Sequence, residues 1–427
     1  MKIYRWNFQL LLPACILLLG CGQNSTDKTG DVPVIEIVQN LGKYQAVPLS
    51  QFATELEYIP LETNENCLLS VGERLIVTST HIFVWDGRVC CAFGRDGRFL
   101  NNIGSVGQGP GEYSRLIDFS MDEKNQSLYL QTLRSLLEYS WDGVFRRSIP
   151  LPEEEIYGTP PSGIFFVRDN LFIGHYRNHS GNLLHNFVLF DQASKVVKLF
   201  DNYRQFNLRF VTTSATSHCM KPYKIAGHVY VKEISNDTLF YLNEQNELVP
   251  HFIFDLGKHS ITKEKQENER RVIGIYNANE EIRVPGWPMV GARNYLFFNF
   301  SAFNLSGQYS FPKARDIPYT SDQHGLVGVY DKSNQTTQLL DTDPVSRMPG
   351  LINDLDGGLS FWPRYISDNE VVDIWRAEEM KEYLTEAYFA AHEIKNPEAH
   401  QKLKELLENM TEYDNPVIVI AKLKPDL

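Results

Sequence analysis

Cysteine is scarce, six in 427 residues, and none of the six forms a CxxC pair or a Cys/His spacing that would hold a metal. That excludes a disulfide-built scaffold and a zinc-finger centre. HExxH, HxH and GxSxG are absent, so an active site would need side chains gathered from distant parts of the chain. Lys and Arg form no cluster, and 41 of them face 53 Asp and Glu for a net charge of −12. Phosphate backbones are held by grouped cations, so nucleic acid is not an expected partner. Past residue 20 no apolar run approaches the roughly 20 residues of a membrane span. No long helix is indicated before about residue 375.

What is present begins with a leader. Lys2 and Arg5 make a charged start, Phe8 to Leu19 is an apolar run of signal-peptide length, and Leu18-Leu19-Gly20-Cys21 fits a lipidation box. Residues 1–20 are therefore expected to be removed as a lipoprotein signal peptide. Cys21 would then carry diacylglycerol on sulfur and an acyl chain such as palmitate on its amine, and three hydrocarbon chains anchor firmly. Gly22 stands where an Asp would retain such a protein on the inner membrane, which points to the outer membrane, in either leaflet. Residues 21–33 are polar and without hydrophobic period, a flexible tether. Loss of Lys2 and Arg5 leaves the mature chain two charges more acidic. Cys67, Cys90, Cys91 and Cys219 read as buried thiols, with one disulfide, Cys67 to Cys90 or Cys91, permitted by export.

From Val34 to about residue 370 short runs of Val, Ile, Leu, Phe and Tyr alternate with Asp-Gly, Asn-rich and Pro-containing turns, which is strand text. Phe93-Gly-Arg-Asp96-Gly97-Arg-Phe99 and Tyr139-Ser-Trp-Asp142-Gly143-Val-Phe145 match closely, with their turn glycines 46 residues apart. Asp-Gly suits a tight hairpin because both positions tolerate positive φ. Weaker echoes follow at Leu189-Phe190-Asp191-Gln192, Phe240-Tyr241-Leu242-Asn243-Glu244 and Val329-Tyr330-Asp331-Lys332. A period near 50 residues with about four strands each is the pattern of propeller blades. Six units are predicted, at 62–105, 106–152, 153–204, 205–260, 282–342 and 343–427. A charged surface helix, Thr262 to Ile273, joins the fourth to the fifth.

The C-terminal end interrupts the pattern. Ala377, Met380, Leu384, Tyr388 and Ala391 recur at helical spacing, and Leu403, Leu406, Leu407 and Met410 do so after Asn396-Pro397, an N-cap with proline at the first helical position. This predicts a helical hairpin at about 375–412, outside the ring. Val417 to Leu423 is β-branched enough for a strand buried on both faces. It is expected to join the segment around Leu56 to Leu61 and close the ring, because a shared last blade removes an open seam. The expected architecture of 34–427 is thus all-β, a six-bladed β-propeller with a helical hairpin inserted in the last blade.

Phe93 to Tyr113, FGRDGRFLNNIGSVGQGPGEY, resembles the signature of six-bladed β-propeller lipoproteins of Gram-negative bacteria, relatives of the NHL-repeat propellers. Tyr58-Ile59-Pro60-Leu61-Glu62-Thr63, Ser235 to Tyr241 and Asn415 to Val419 agree with that family too. The resemblance implies the six-bladed fold and an exported lipoprotein, and supplies no agreed activity. NHL blades commonly carry a Pro-x-Gly turn after the glycine-rich stretch, whereas here Tyr113 runs into Ser-Arg-Leu-Ile-Asp, so the functions of NHL enzymes do not carry over.

Gly104 to Gly111 lacks the Gly-Lys-Ser/Thr and following helix of a phosphate cradle and reads as a connection between blades. Gly286-Trp287-Pro288 and Phe361-Trp362-Pro363-Arg364-Tyr365 stand at strand starts of the later blades. An exposed indole stacks on a sugar's C–H face while nearby cations fix hydroxyls, so Trp287, Arg293, Trp362 and Arg364 are the candidate ligand contacts, against packing between blades as the plainer role. No catalytic residue, metal or cofactor is assigned. The expected function is a non-catalytic recognition or scaffold lipoprotein of the cell envelope, binding a carbohydrate, peptide or partner protein on the propeller face. The alternative is a propeller hydrolase, lactonase or lyase with a metal at the central channel.

Overall fold

Each close sequence repeat builds the same hairpin. The computed structural model describes residues 32–425 apart from 70–73, 153–160, 179–180, 208–222, 226–227, 269–270, 273–274, 277–279, 286–288, 315–322 and 368. The leader, Cys21 and most of the expected tether lie outside the described residues. In the first blade, strands Arg74–Val77, His81–Trp85, Cys90–Gly94 and Phe99–Asn102 form an antiparallel sheet, with Asp96-Gly97 turning the third strand into the fourth. Gly97 has φ +83°, the left-handed region that favours glycine. The second blade, Asp118–Asp122, Ser127–Gln131, Ser135–Ser140 and Phe145–Pro150, turns at Asp142-Gly143 in the same place.

The three weaker echoes occupy the equivalent hairpin of blades three, four and five, where Asp191, Asn243 and Asp331 accept backbone N–H bonds across the turn. Their fourth strands are Val196–Asp201, Leu248–Asp255 and Thr336–Leu340. Blade six has no such hairpin. Its order is Tyr365–Ser367, Glu370–Trp375, Val417–Leu423 and then Ala53–Pro60 from the beginning of the chain. Glu57 faces Ile420 and Ile59 faces Ile418 across this antiparallel closure. The fold is therefore a six-bladed β-propeller, closed by the pairing that the β-branched run predicted.

The N-terminal segment does more than close the ring. Strand β1, Val34–Glu36, lies parallel on the outer strand of blade four, and β2, Tyr44–Gln45, lies parallel on that of blade five. Strand β3, Ala53–Pro60, then becomes the outer strand of blade six. Ile35, Ile37 and Leu41 are buried in the core of blades four and five, and Leu49 and Phe52 in that of blades five and six. A strap thus covers the outer edges of three consecutive blades, edges that would otherwise offer unpaired N–H and C=O groups.

Helix α1, Lys263–Asn268, is shorter than the expected Thr262 to Ile273; Arg271-Val272 instead pairs with Ile275-Tyr276. The first arm of the C-terminal insertion is two helices, α2 (Ala377–Tyr383) and α3 (Glu386–Ala390), because the Thr385 hydroxyl caps a new start by accepting the Tyr388 N–H. Helix α4, Pro397–Asn409, begins as expected, with Asn396 accepting from Ala399 N–H. Met380, Tyr388, Leu403 and Leu407 pack into the core shared with Phe297, Trp375 and Val417. Cys67, Cys90 and Cys91 are buried free thiols, so the disulfide that export permits is not formed among them; Cys219 lies outside the described residues.

Candidate functional site

The innermost strand of every blade reaches a cavity of about 130 Å³ on the ring axis. Arg74, Leu75 and Ile76 come from blade one, Met121 and Glu123 from blade two, and Phe165 from blade three. Lys224 comes from blade four, Met289 and Val290 from blade five, and Arg364, Tyr365 and Ile366 from blade six. Three cations thus meet in an acidic protein, among walls that are otherwise largely apolar.

Two of the three are neutralised by their own neighbours. Arg74 is buried and pairs with buried Asp118 of blade two, which also accepts the Phe119 N–H. Its guanidinium lies 5.9 Å from the Phe119 ring centroid and 5.8 Å from that of Phe165, close enough for cation–π attraction. Arg364 donates through Nε to Asp373 Oδ1 at 3.0 Å. Asp373 is a buried hub that also accepts from the N–H groups of Trp362 and Ile374 and from the Trp375 indole. Burial pushes its carboxyl above the usual range, and Arg364 with the N–H donors opposes that rise.

Lys224 differs. Its ammonium is 6.0 Å from the Phe165 centroid and 5.3 Å from that of Phe166, and among the described residues no hydrogen bond or ion pair reaches it. Burial lowers its pKa from the ordinary lysine value, opposed by the charges of Asp122 and Glu123. Arg74 and Lys224 therefore stand within 6.0 Å of one aromatic ring, Arg74 with its counterion and Lys224 without one among the described residues.

Of the described residues expected to touch a ligand, only Arg364 lines this cavity. Trp362, two positions earlier, is buried, donates its indole N–H to Asn299 Oδ1 at 2.6 Å and meets the Phe297 ring edge-on. Arg293 is exposed in the turn between Met289–Gly291 and Tyr295–Phe303, and Trp287 lies outside the described residues. Sequence reasoning missed Arg74 and Lys224. The available signal was a lone cation on the first strand of a blade, heading the apolar run Leu75-Ile76-Val77 in one case. Among the described residues no group of three His, Cys, Asp or Glu side chains is placed to hold a metal ion.

Solved structures share this architecture. A protein from Bacteroides fragilis described as exported superposes with a TM-score of 0.64 at 18% identity, covering 92% of this chain and 99% of its own. A member of the DUF4221 family from Bacteroides vulgatus gives 0.50 at 12% identity, covering 87% of this chain and 97% of its own. No curated protein matches the sequence. The profile of a family described as a domain of unknown function, DUF4934, matches residues 32–422, the strap, all six blades and the closing strand together. The chain belongs to the DUF4934 family.

Proposed function

We propose that this chain is a non-catalytic recognition protein of the cell envelope, held to the outer membrane through lipid on Cys21, that binds its ligand on the propeller face where the six inner strands meet. The observation that carries the reading is the axial cavity, to which every blade contributes and in which a half-buried lysine has no counterion among the described residues. Convergent charge in an apolar recess is the ordinary form of a ligand site. The lipidation box and the similarity to a protein described as exported support the envelope location.

Two measurements test it. Radiolabelled palmitate should enter the wild-type protein and not Cys21→Ala; an unlabelled wild type would contradict the anchor. A thermal-shift screen over glycans, peptides and small acids, on the mature chain carrying Cys21→Ala and purified without chelator, should find one class that shifts the transition saturably. A stoichiometric metal, with turnover of an ester or lactone, would favour a hydrolase instead.

A further inference from the structure

We propose that the axial cavity binds a small organic monocarboxylate, its carboxylate on Lys224 and Arg364 and its hydrocarbon body against Phe165, Met121 and Met289. The inference rests on the recognition reading and names its ligand. Charge comes first. Asp118 neutralises Arg74 and Asp373 neutralises Arg364, which leaves Lys224 as the cation whose desolvation is not offset by any ion pair among the described residues. A cation without a direct partner among the described residues calls for one negative charge on the ligand. Asp122 and exposed Glu123 lie near enough to Lys224 to act on its ionisation, so a second negative charge on the ligand would meet repulsion there.

Chemical character comes next. Inorganic phosphate or sulfate needs donors on all sides, whereas most of this wall is thioether, aliphatic and aromatic surface. Arg364 uses Nε on Asp373 and retains its terminal N–H groups, which suit a carboxylate held in a plane. Size completes the specification. A cavity of about 130 Å³ is well below the roughly 300 Å³ at which pockets for drug-sized molecules begin. It admits a compact acid such as hexanoate or benzoate.

The test is calorimetric titration of the mature chain carrying Cys21→Ala with hexanoate, benzoate, hexanamide and inorganic phosphate. Hexanoate or benzoate should bind saturably, and hexanamide, of the same shape without the charge, should bind about tenfold or more weakly. Lys224→Met should remove the preference for acid over amide, with an unchanged near-ultraviolet circular dichroism spectrum, and Lys224→Arg should keep it. Equal affinity for hexanamide and hexanoate, phosphate binding as tight as hexanoate, or full binding by Lys224→Met would overturn the assignment. A glycan or peptide that binds while no carboxylate does would sink this inference and leave the recognition reading standing; a protein that binds none of these classes contradicts both.

Discussion

Gly97 and the Pro60 carbonyl are in such close approach that a Cβ on Gly97 would stand 2.2 Å from the oxygen. Pro60 ends the outer strand of blade six, and Gly97 is the turn of the next blade's outer hairpin. Gly143 repeats the relation one blade on, where a Cβ would meet the Asn102 carbonyl at 2.7 Å. The glycine of the repeat is thus fixed by conformation and by contact between blades. Gly42 separates the two effects, having the same φ of +83° with nothing within 4 Å of an added Cβ. Gly42→Ala should cost about 1 kcal/mol, the left-handed penalty alone. Gly97→Ala should cost at least roughly 2 kcal/mol more, because backbone must shift. Urea unfolding of the two variants measures the difference, and equal losses would refute the contact.

Asn415 should be among the least replaceable polar residues. Buried beside the closing strand, it donates to the carbonyls of Glu62 and Cys67 at 2.7 and 2.6 Å and accepts the Leu69 N–H at 2.8 Å. These bonds tie the chain leaving β3 to the start of Val417–Leu423. Asn415→Ala strands the Cys67 carbonyl and the Leu69 N–H and leaves the Glu62 carbonyl with the Cys67 thiol as donor, and should lower stability by about 2 kcal/mol or more at 1–3 kcal/mol for each buried unsatisfied group. A loss below about 1 kcal/mol in denaturant unfolding would mean water replaces the side chain.

A buried and a half-buried lysine should respond differently to the same substitution. Lys232 donates to the carbonyls of Glu233, Asn236 and Val284 at 3.1, 2.8 and 2.9 Å, joining blades four and five, although burial draws its pKa down to about 7. Lys232→Met abandons three carbonyls and should destabilise by roughly 3 kcal/mol or more. Lys224→Met removes a half-buried charge that no partner holds among the described residues, and should leave the unliganded protein unchanged or more stable. Thermal melts without ligand decide both signs.

His392 fastens the helical insertion to the connection between blades five and six, and its protonation gives that fastening a pH window. Nε2 meets Asp343 Oδ2 at 2.5 Å and Nδ1 meets the Tyr388 carbonyl at 2.7 Å, so only the imidazolium donates to both. Burial alone would lower the His392 pKa, but these bonds raise it above the ordinary value. Burial alone would raise that of Asp343, but His392 and the N–H groups of Ser346 and Val345 hold it below. A raised histidine pKa gives stability that is complete below about 6.5 and lost as pH rises through the folded value; a lowered Asp pKa gives stability that is complete above about 3.9 and lost as pH falls through its folded value. The pair should therefore contribute most between about pH 4 and 6.5. The difference in unfolding free energy between wild type and His392→Gln, followed from pH 4 to 9, should shrink on the alkaline side; a constant difference would show that His392 acts neutral.

Blade number and ring closure were legible because both depend on patterns local in the chain. All five turn repeats fall between the third and fourth strands of blades one to five, where Asp, Asn and Gly turn chemistry is required. The sixth blade lacks the signal because its outer strand is Ala53–Pro60. The strap was not legible, since Val34–Glu36 and Tyr44–Gln45 are three- and two-residue strands without a hairpin or a period. Nor was the cavity. Arg74, Lys224 and Arg364 are more than 100 residues from one another in sequence, and only the ring brings their strands to one axis. Arg364 was reached for its neighbour Trp362, whose indole lies in the packing of blades five and six rather than on the cavity.

The most direct test of a ligand held on the ring axis is methyl NMR of the mature chain labelled at methionine. Met121 and Met289 line the cavity, whereas Met380 and Met410 lie in the core of the helical insertion and Met348 packs against it. Titration with hexanoate should shift the Met121 and Met289 methyl signals along one saturation curve and leave those of Met348, Met380 and Met410 in place. Saturable binding that moves Met348, Met380 or Met410 and spares Met121 and Met289 would put the ligand site elsewhere and contradict the account.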